Sequence, residues 1–248
     1  MLRLSITEPL RIATLGGSLA NAARLLTPDP REATGVTTAS ATQTIDIDLG
    51  AATSIDTVFL GYANASAYPA AIGMTYGVAS YTETTAANIV VAPSIGFPFR
   101  HYFTQLAAPV TARYIRLSLP LPAGATFGVL AVGAAFMSQL GHEWGGGRFV
   151  TDTGSATRLQ GGGFGIDEGV AAGGYQWTFG DLTADETQRL YLIQRNRRTT
   201  RTLLVVEDPE VSPGLNERIH WGLLGKLEAY ERLDPINTKW SMTINDWL

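Results

Sequence analysis

The strongest constraint on this chain is a two-residue alternation of apolar and polar side chains, repeated in short runs that glycine and proline cut apart. Ile45-Asp46-Ile47-Asp48-Leu49 puts Ile45, Ile47 and Leu49 on one face and the two aspartates on the other, because successive side chains of a strand point to opposite sides. Gly50 is expected to end that strand, and Ile55-Asp56-Thr57-Val58-Phe59-Leu60 follows as a second. Tyr114-Ile115-Arg116-Leu117-Ser118-Leu119 alternates again with Ile115, Leu117 and Leu119 inward, until Pro120 and Pro122 stop it for want of an N–H. Phe127–Gly133 reads as a last apolar strand buried on both faces. Short strands with Gly, Pro, Ser and Thr between them predict a sandwich or jelly roll.

Charge divides the chain. Of its 248 residues, 1–137 hold 7 acidic and 7 basic side chains, whereas 138–248 hold 15 acidic and 11 basic ones and all five Trp. The shift places a boundary near Phe136–Gly147, giving domains 1–137 and 138–248. A surface so poor in charge suits a module packed against something, or a sheet covered in Thr, Ser and Ala. The absence of Cys excludes disulfides, Cys-ligated metal and thiol catalysis, and a net charge of −4 argues against a nucleic-acid partner. Arg3, Glu8 and Pro9 interrupt the N-terminus, so no signal peptide is expected. The charge-free stretches Thr57–Thr82 and Leu117–Gly141 are broken by Pro, Gly, Ser, Thr or Asn and read as β-rich rather than membrane-spanning.

In the second half, Thr183-x-x-Glu186 forms a capping box, and Leu190 and Ile193 recur at helical spacing. Arg195, Arg197 and Arg198 close the far end, so a helix is predicted over about 184–197. Tyr175–Phe179, Thr202–Val206, Ile219–Leu223 and Trp240–Ile244 read as strands, making a small α+β unit.

Candidate chemistry is sparse. Asp46 and Asp48 share a strand face roughly 6–7 Å apart, a spacing that overlaps that of glycosidase carboxylates. The turn after Asp48 gives it a structural task, and Asp46 is read as a solvated outward residue. His101, His142 and His220 show no ligand spacing, so neither metal nor cofactor is expected. Gly145–Gly147 and Gly161–Gly163 lack the Lys-Ser/Thr of a phosphate loop and read as tight turns or close backbone approaches. Arg195, Arg197, Arg198 and Arg201 complement the helix end or form an intersubunit contact. Tyr68, Tyr76, Tyr81 and Phe97, in or beside turn-rich segments, are candidate platforms for stacking on sugar rings, or else pack on the sheet.

Ile47-Asp48-Leu49-Gly50, Ile55-x-x-Val58, Ala112-Arg113-Tyr114-Ile115-Arg116-Leu117 and the closing apolar strand resemble the discoidin (galactose-binding-like) jelly roll over about residues 10–137. Ala23–Asp29 resembles its opening loop. That family binds sugars, lipids or proteins through loops at one end of the sandwich. Residues 138–248 resemble the β-sandwich-plus-helix domain of long-tailed phage distal tail and minor tail proteins. That likeness rests on the hairpin Arg158–Gly163, Trp177-x-Phe179 before Leu182-Thr183, Leu204-x-x-Glu207-Asp208-Pro209 and a final Glu231…Trp240 strand pair.

Together the two halves resemble baseplate proteins of Mu-like siphophages. The resemblance implies a mostly β chain, with a jelly roll followed by a β-sandwich domain bearing one helix. It further implies a structural virion protein at the tail tip, made in the host cytoplasm and closed into a six-membered ring against tail tube and hub proteins. A module that binds a host-surface glycan is the alternative, and an enzyme built on Asp46 and Asp48 is the least favoured.

Overall fold

A computed structural model describes residues 3–32, 35–36, 42–64, 69–81, 84–85, 88–120 and 122–247. The fold is mostly β, with antiparallel sheets and one α-helix among the described residues. The chain divides into two compact units. One is Arg3–Met137 with Thr202–Ile219; the other contains Ser138–Arg201 and His220–Leu248. The sequence expects a single cut at 137/138, whereas the chain returns to the first unit after the helix.

The first unit is organised by two long neighbouring strands, Gln43–Ala63 and Arg100–Leu119. Val129–Gly133 lines the outer side of the first, and Ala71–Gly77 and Ile89–Val91 line the second. Ile45, Ile47, Ile115, Leu117 and Leu119 all face the core and are fully buried, as their alternation dictates. Each such side chain contributes about 1.5–3 kcal/mol on leaving water. Val129–Gly133 is buried along its whole length, as its unbroken apolar run predicts.

Gly50 does not end a strand. The backbone passes through it at φ +81°, and pairing with the neighbour lapses between Asp48 and Thr53 before resuming at Thr53 opposite Ala112. The two predicted strands are therefore the arms of one bent strand, and the glycine supplies a left-handed corner that a β-carbon would strain. Pro109 is accommodated in the neighbour by a second lapse, since Val110 lies opposite Ile55 and Gln105 opposite Thr57, leaving 106–109 outside the ladder.

Three further strands complete this unit. Leu4–Thr7 runs between Ala135–Phe136 and Leu203–Glu207, with Ser5 opposite Val206 and Ile6 opposite both Val205 and Phe136. Leu203–Glu207, which the sequence assigns to the second domain, is thus a strand of the first unit.

In the second unit Thr238–Asp246 is flanked by Ala171–Leu182 and Ile219–Leu224, and Gly147–Asp152 forms the outer edge on Ala171–Leu182. Cross-strand pairs Trp177–Met242 and Phe179–Trp240 bury the aromatic face. The helix spans Ala184–Arg197. The Thr183 hydroxyl accepts the Glu186 amide, while the Glu186 carboxylate accepts the Thr183 amide at 2.9 Å and the Gln139 amide at 2.7 Å. Leu190 and Ile193 bury its inner face.

Candidate functional site

The polar face of the first unit's sheet carries two matched stacks. Register sets Asp46 opposite Arg116 and Asp48 opposite Tyr114. Asp46 accepts Arg116 through both oxygens, at 2.6 and 2.7 Å, and Asp48 accepts Arg113 through both, at 2.9 and 3.1 Å. The Arg116 guanidinium lies 5.3 Å from the Tyr81 ring centre, and that of Arg113 lies 4.7 Å from Tyr114. The two tyrosines meet edge to face at 5.0 Å. Such bidentate pairs fix guanidinium planes that also attract aromatic faces. Arg113 and the Gly50 amide hold the Asp48 carboxyl below the usual range, while burial and the charges of Asp46 and Asp48 push the Tyr81 phenol up. Asp46 is therefore an anchored ion-pair partner rather than the solvated residue expected. Both oxygens of each carboxylate bond an arginine, and Asp48 Oδ1 also accepts the Gly50 amide at 2.7 Å.

A second polar node holds the loop that contains Phe97. Glu217 Oε1 accepts the Ser94 hydroxyl at 2.5 Å and the amides of Ile95, Gly96 and Phe97 at 2.7, 3.2 and 3.2 Å. Burial raises the Glu217 carboxyl, but the Ser94 hydroxyl and the Ile95 and Phe97 amides outweigh it and bring it to about 2. Beside it, buried Asn216 accepts the His101 amide at 2.8 Å and donates to the Phe99 carbonyl at 2.9 Å. His101 is a core histidine: its Nδ1 accepts the Tyr62 amide at 3.1 Å, and the rings of Phe59, Tyr62 and Phe97 surround it.

In the second unit the His220 Nδ1 lies 3.1 Å from both Asp246 oxygens, and Tyr175 stacks on the imidazole at 5.3 Å. The histidine is buried, so the carboxylate acts as an internal orienter within an aromatic stack that continues to Trp177. Among the described residues no group of three His, Asp or Glu is placed to hold a metal.

The edge of this unit is unlike the rest. Beyond the pairing of Gly147–Asp152 with Ala171–Gln176, the chain continues into a two-stranded tip, Ser155–Arg158 against Phe164–Asp167. At the junction a β-carbon on Gly169 would sit 1.9 Å from the Gly154 nitrogen, so bare backbones make the crossing. Phe164 is 64% and Ile166 73% exposed, and Val150, Leu159 and Val170 are exposed with them. An open cavity of about 410 Å³ at the base is lined by Asp152, Asp167 and Glu168 with Ala156 and Ile166.

The residues singled out in the sequence are scattered over these features. Tyr68 lies outside the described residues. Tyr76 stands on Ala71–Gly77 and packs against the core, Tyr81 joins the Arg116 stack, and Phe97 packs on Phe99 and His101; no ring contact links these three. Arg195, Arg198 and Arg201 are exposed and Arg197 half-buried. Arg198 caps the helix at φ 54°, its amide reaching the Gln194 carbonyl. The sequence reading passed over Tyr114, Arg113 and Arg116 as site residues, although sliding the two alternating strands into antiparallel register would have brought Arg116 against Asp46. Nothing local marks Asn216 or Glu217.

No family model matches the chain, and no curated protein matches it either. Among solved structures, the chain is similar to "CBM32-1 from a family 31 glycoside hydrolase from Clostridium perfringens", at a TM-score of 0.35 and 8% identity, over 52% of this chain and 93% of that one. A likeness of that size carries no argument.

Proposed function

We propose that this chain is a structural protein that works as an assembly of copies of itself, at the tip of a phage tail. The observation that carries the reading is the number of exposed apolar side chains on the edge ribbon, with Phe164 and Ile166 on one strand face and Val150, Leu159 and Val170 elsewhere along it. Large apolar side chains gathered on one exposed ribbon mark an interaction surface, and an uncovered sheet edge pairs readily. The resemblance of residues 138–248 to distal tail proteins supplies the setting, with contacts that close by rotation into a ring. No helix of the described residues is long and apolar enough to cross a membrane. Native mass spectrometry of the purified chain and mass analysis of virions test the reading. A closed oligomer present in particles is expected; a chain that stays single at high concentration and is missing from particles overturns it.

A second reading is favoured by the paired Tyr81–Arg116–Asp46 and Tyr114–Arg113–Asp48 stacks, which set aromatic rings beside oriented hydrogen-bonding groups, as recognition of a polyhydroxylated ligand requires. Binding on a glycan array that is lost in Tyr81→Ala and Tyr114→Ala supports a host-surface glycan as ligand. Silence across a broad array removes it.

A further inference from the structure

Two surfaces of the second unit carry opposite charge beside exposed apolar side chains. On the ribbon, Phe164 and Ile166 run into Asp167 and Glu168, and both acids are exposed. On the helix, Tyr191, Leu192 and Arg195 fall at i, i+1 and i+4 on the outward side, and Arg198 follows at the C-cap. Among the described residues Asp167, Glu168, Arg195 and Arg198 make no ion pair within the chain. The acids and the arginines therefore do not satisfy each other inside one copy.

We propose that the acidic, apolar ribbon of one copy docks head to tail on the basic, apolar outward face of the helix of a second copy. The occupant is argued from charge complementarity: Asp167 and Glu168 at one end of the ribbon and Arg195 and Arg198 at the helix end are opposite in sign and exposed, and each pair lies beside apolar side chains that a partner would cover, while Arg158 at the other end of the ribbon stays outside the contact. Because the two surfaces differ, the contact is heterologous, and its repetition yields a ring or a filament rather than a twofold dimer. The ion pairs at its rim make the association weaken as salt rises. The inference rests on the reading that the chain self-assembles, and goes beyond it by naming both faces.

The test uses the full chain and two charge reversals, Asp167→Lys with Glu168→Lys and Arg195→Glu with Arg198→Glu, followed by sedimentation velocity at low and high salt. Each reversed chain alone is expected to associate at least about tenfold more weakly than the natural one, since like charges then face each other. An equimolar mixture is expected to recover, because Lys on one ribbon meets Glu on the other helix while the natural pairing remains on the alternate contact. Recovery also demonstrates that both chains are folded. Natural-strength association of each reversed chain alone, or failure of the mixture to recover, overturns the docking and leaves self-assembly standing. A natural chain that does not associate at all overturns both.

Discussion

Ser94 donates its hydroxyl to Glu217 at 2.5 Å, tying together two loops 123 residues apart in the chain. The same carboxylate oxygen gathers three consecutive amides, so one side chain fixes both the path of the Phe97 loop and the position of the segment that returns after the helix.

This contact makes stability depend on acidity. Glu217 titrates at about 2 in the fold against an ordinary 4.5, so its contribution is complete above pH 4.5 and is lost as the pH falls toward 2. Glu217→Gln is expected to cost about 1–3 kcal/mol at neutral pH and to flatten the acid limb. Thermal melts of both proteins from pH 7 to pH 2 check it; equal slopes for the two would contradict it.

Asn216→Ala removes a buried amide that serves the His101 N–H and the Phe99 carbonyl. Each orphaned group costs about 1–3 kcal/mol, and Asn216→Asp is no rescue, because it keeps the acceptor but sets a second oxygen and a buried charge against the Phe99 carbonyl. Denaturant unfolding should therefore show both variants less stable than the natural chain; equal midpoints would contradict it.

Thr183→Ala deletes the acceptor at the start of the helix and is expected to cost about 1 kcal/mol, while Thr183→Ser restores most of it. Chemical denaturation followed by circular dichroism measures the difference.

Phe164→Ser, at an exposed position of the ribbon, should leave monomer stability within about 0.5 kcal/mol. It should nevertheless weaken self-association in the same sedimentation assay. A large loss of stability would mean that this ring packs against its own chain.

Elements set by neighbours in sequence were legible before the structure. The helix occupies Ala184–Arg197 because Thr183 and Glu186 cap it locally, and Ile45, Ile47, Ile115 and Leu117 turn inward because alternation leaves them no choice. What escaped was set at a distance. Gly50 looks like a stop, yet the strand continues because a distant segment, 100–119, pairs with both arms. Asp46 looks solvated until Arg116, 70 residues on, is brought opposite it. Glu217 lies in an ordinary polar turn, and only the fold aims it at 94–97. Leu203–Glu207 carries an apolar pattern that would suit either unit, and nothing in it announces Leu4–Thr7 as its neighbour.

That last pairing governs how the protein can be made. As the chain leaves the ribosome, Leu4–Thr7 emerges some two hundred residues before its neighbour on one side. Until then a hydrophobic strand waits with an open flank, and the loop that Asn216 and Glu217 will secure has no anchor. A fragment ending at Met137 would stay in that waiting condition permanently, so the amino-terminal half cannot be excised as a self-sufficient piece by cutting where the composition changes.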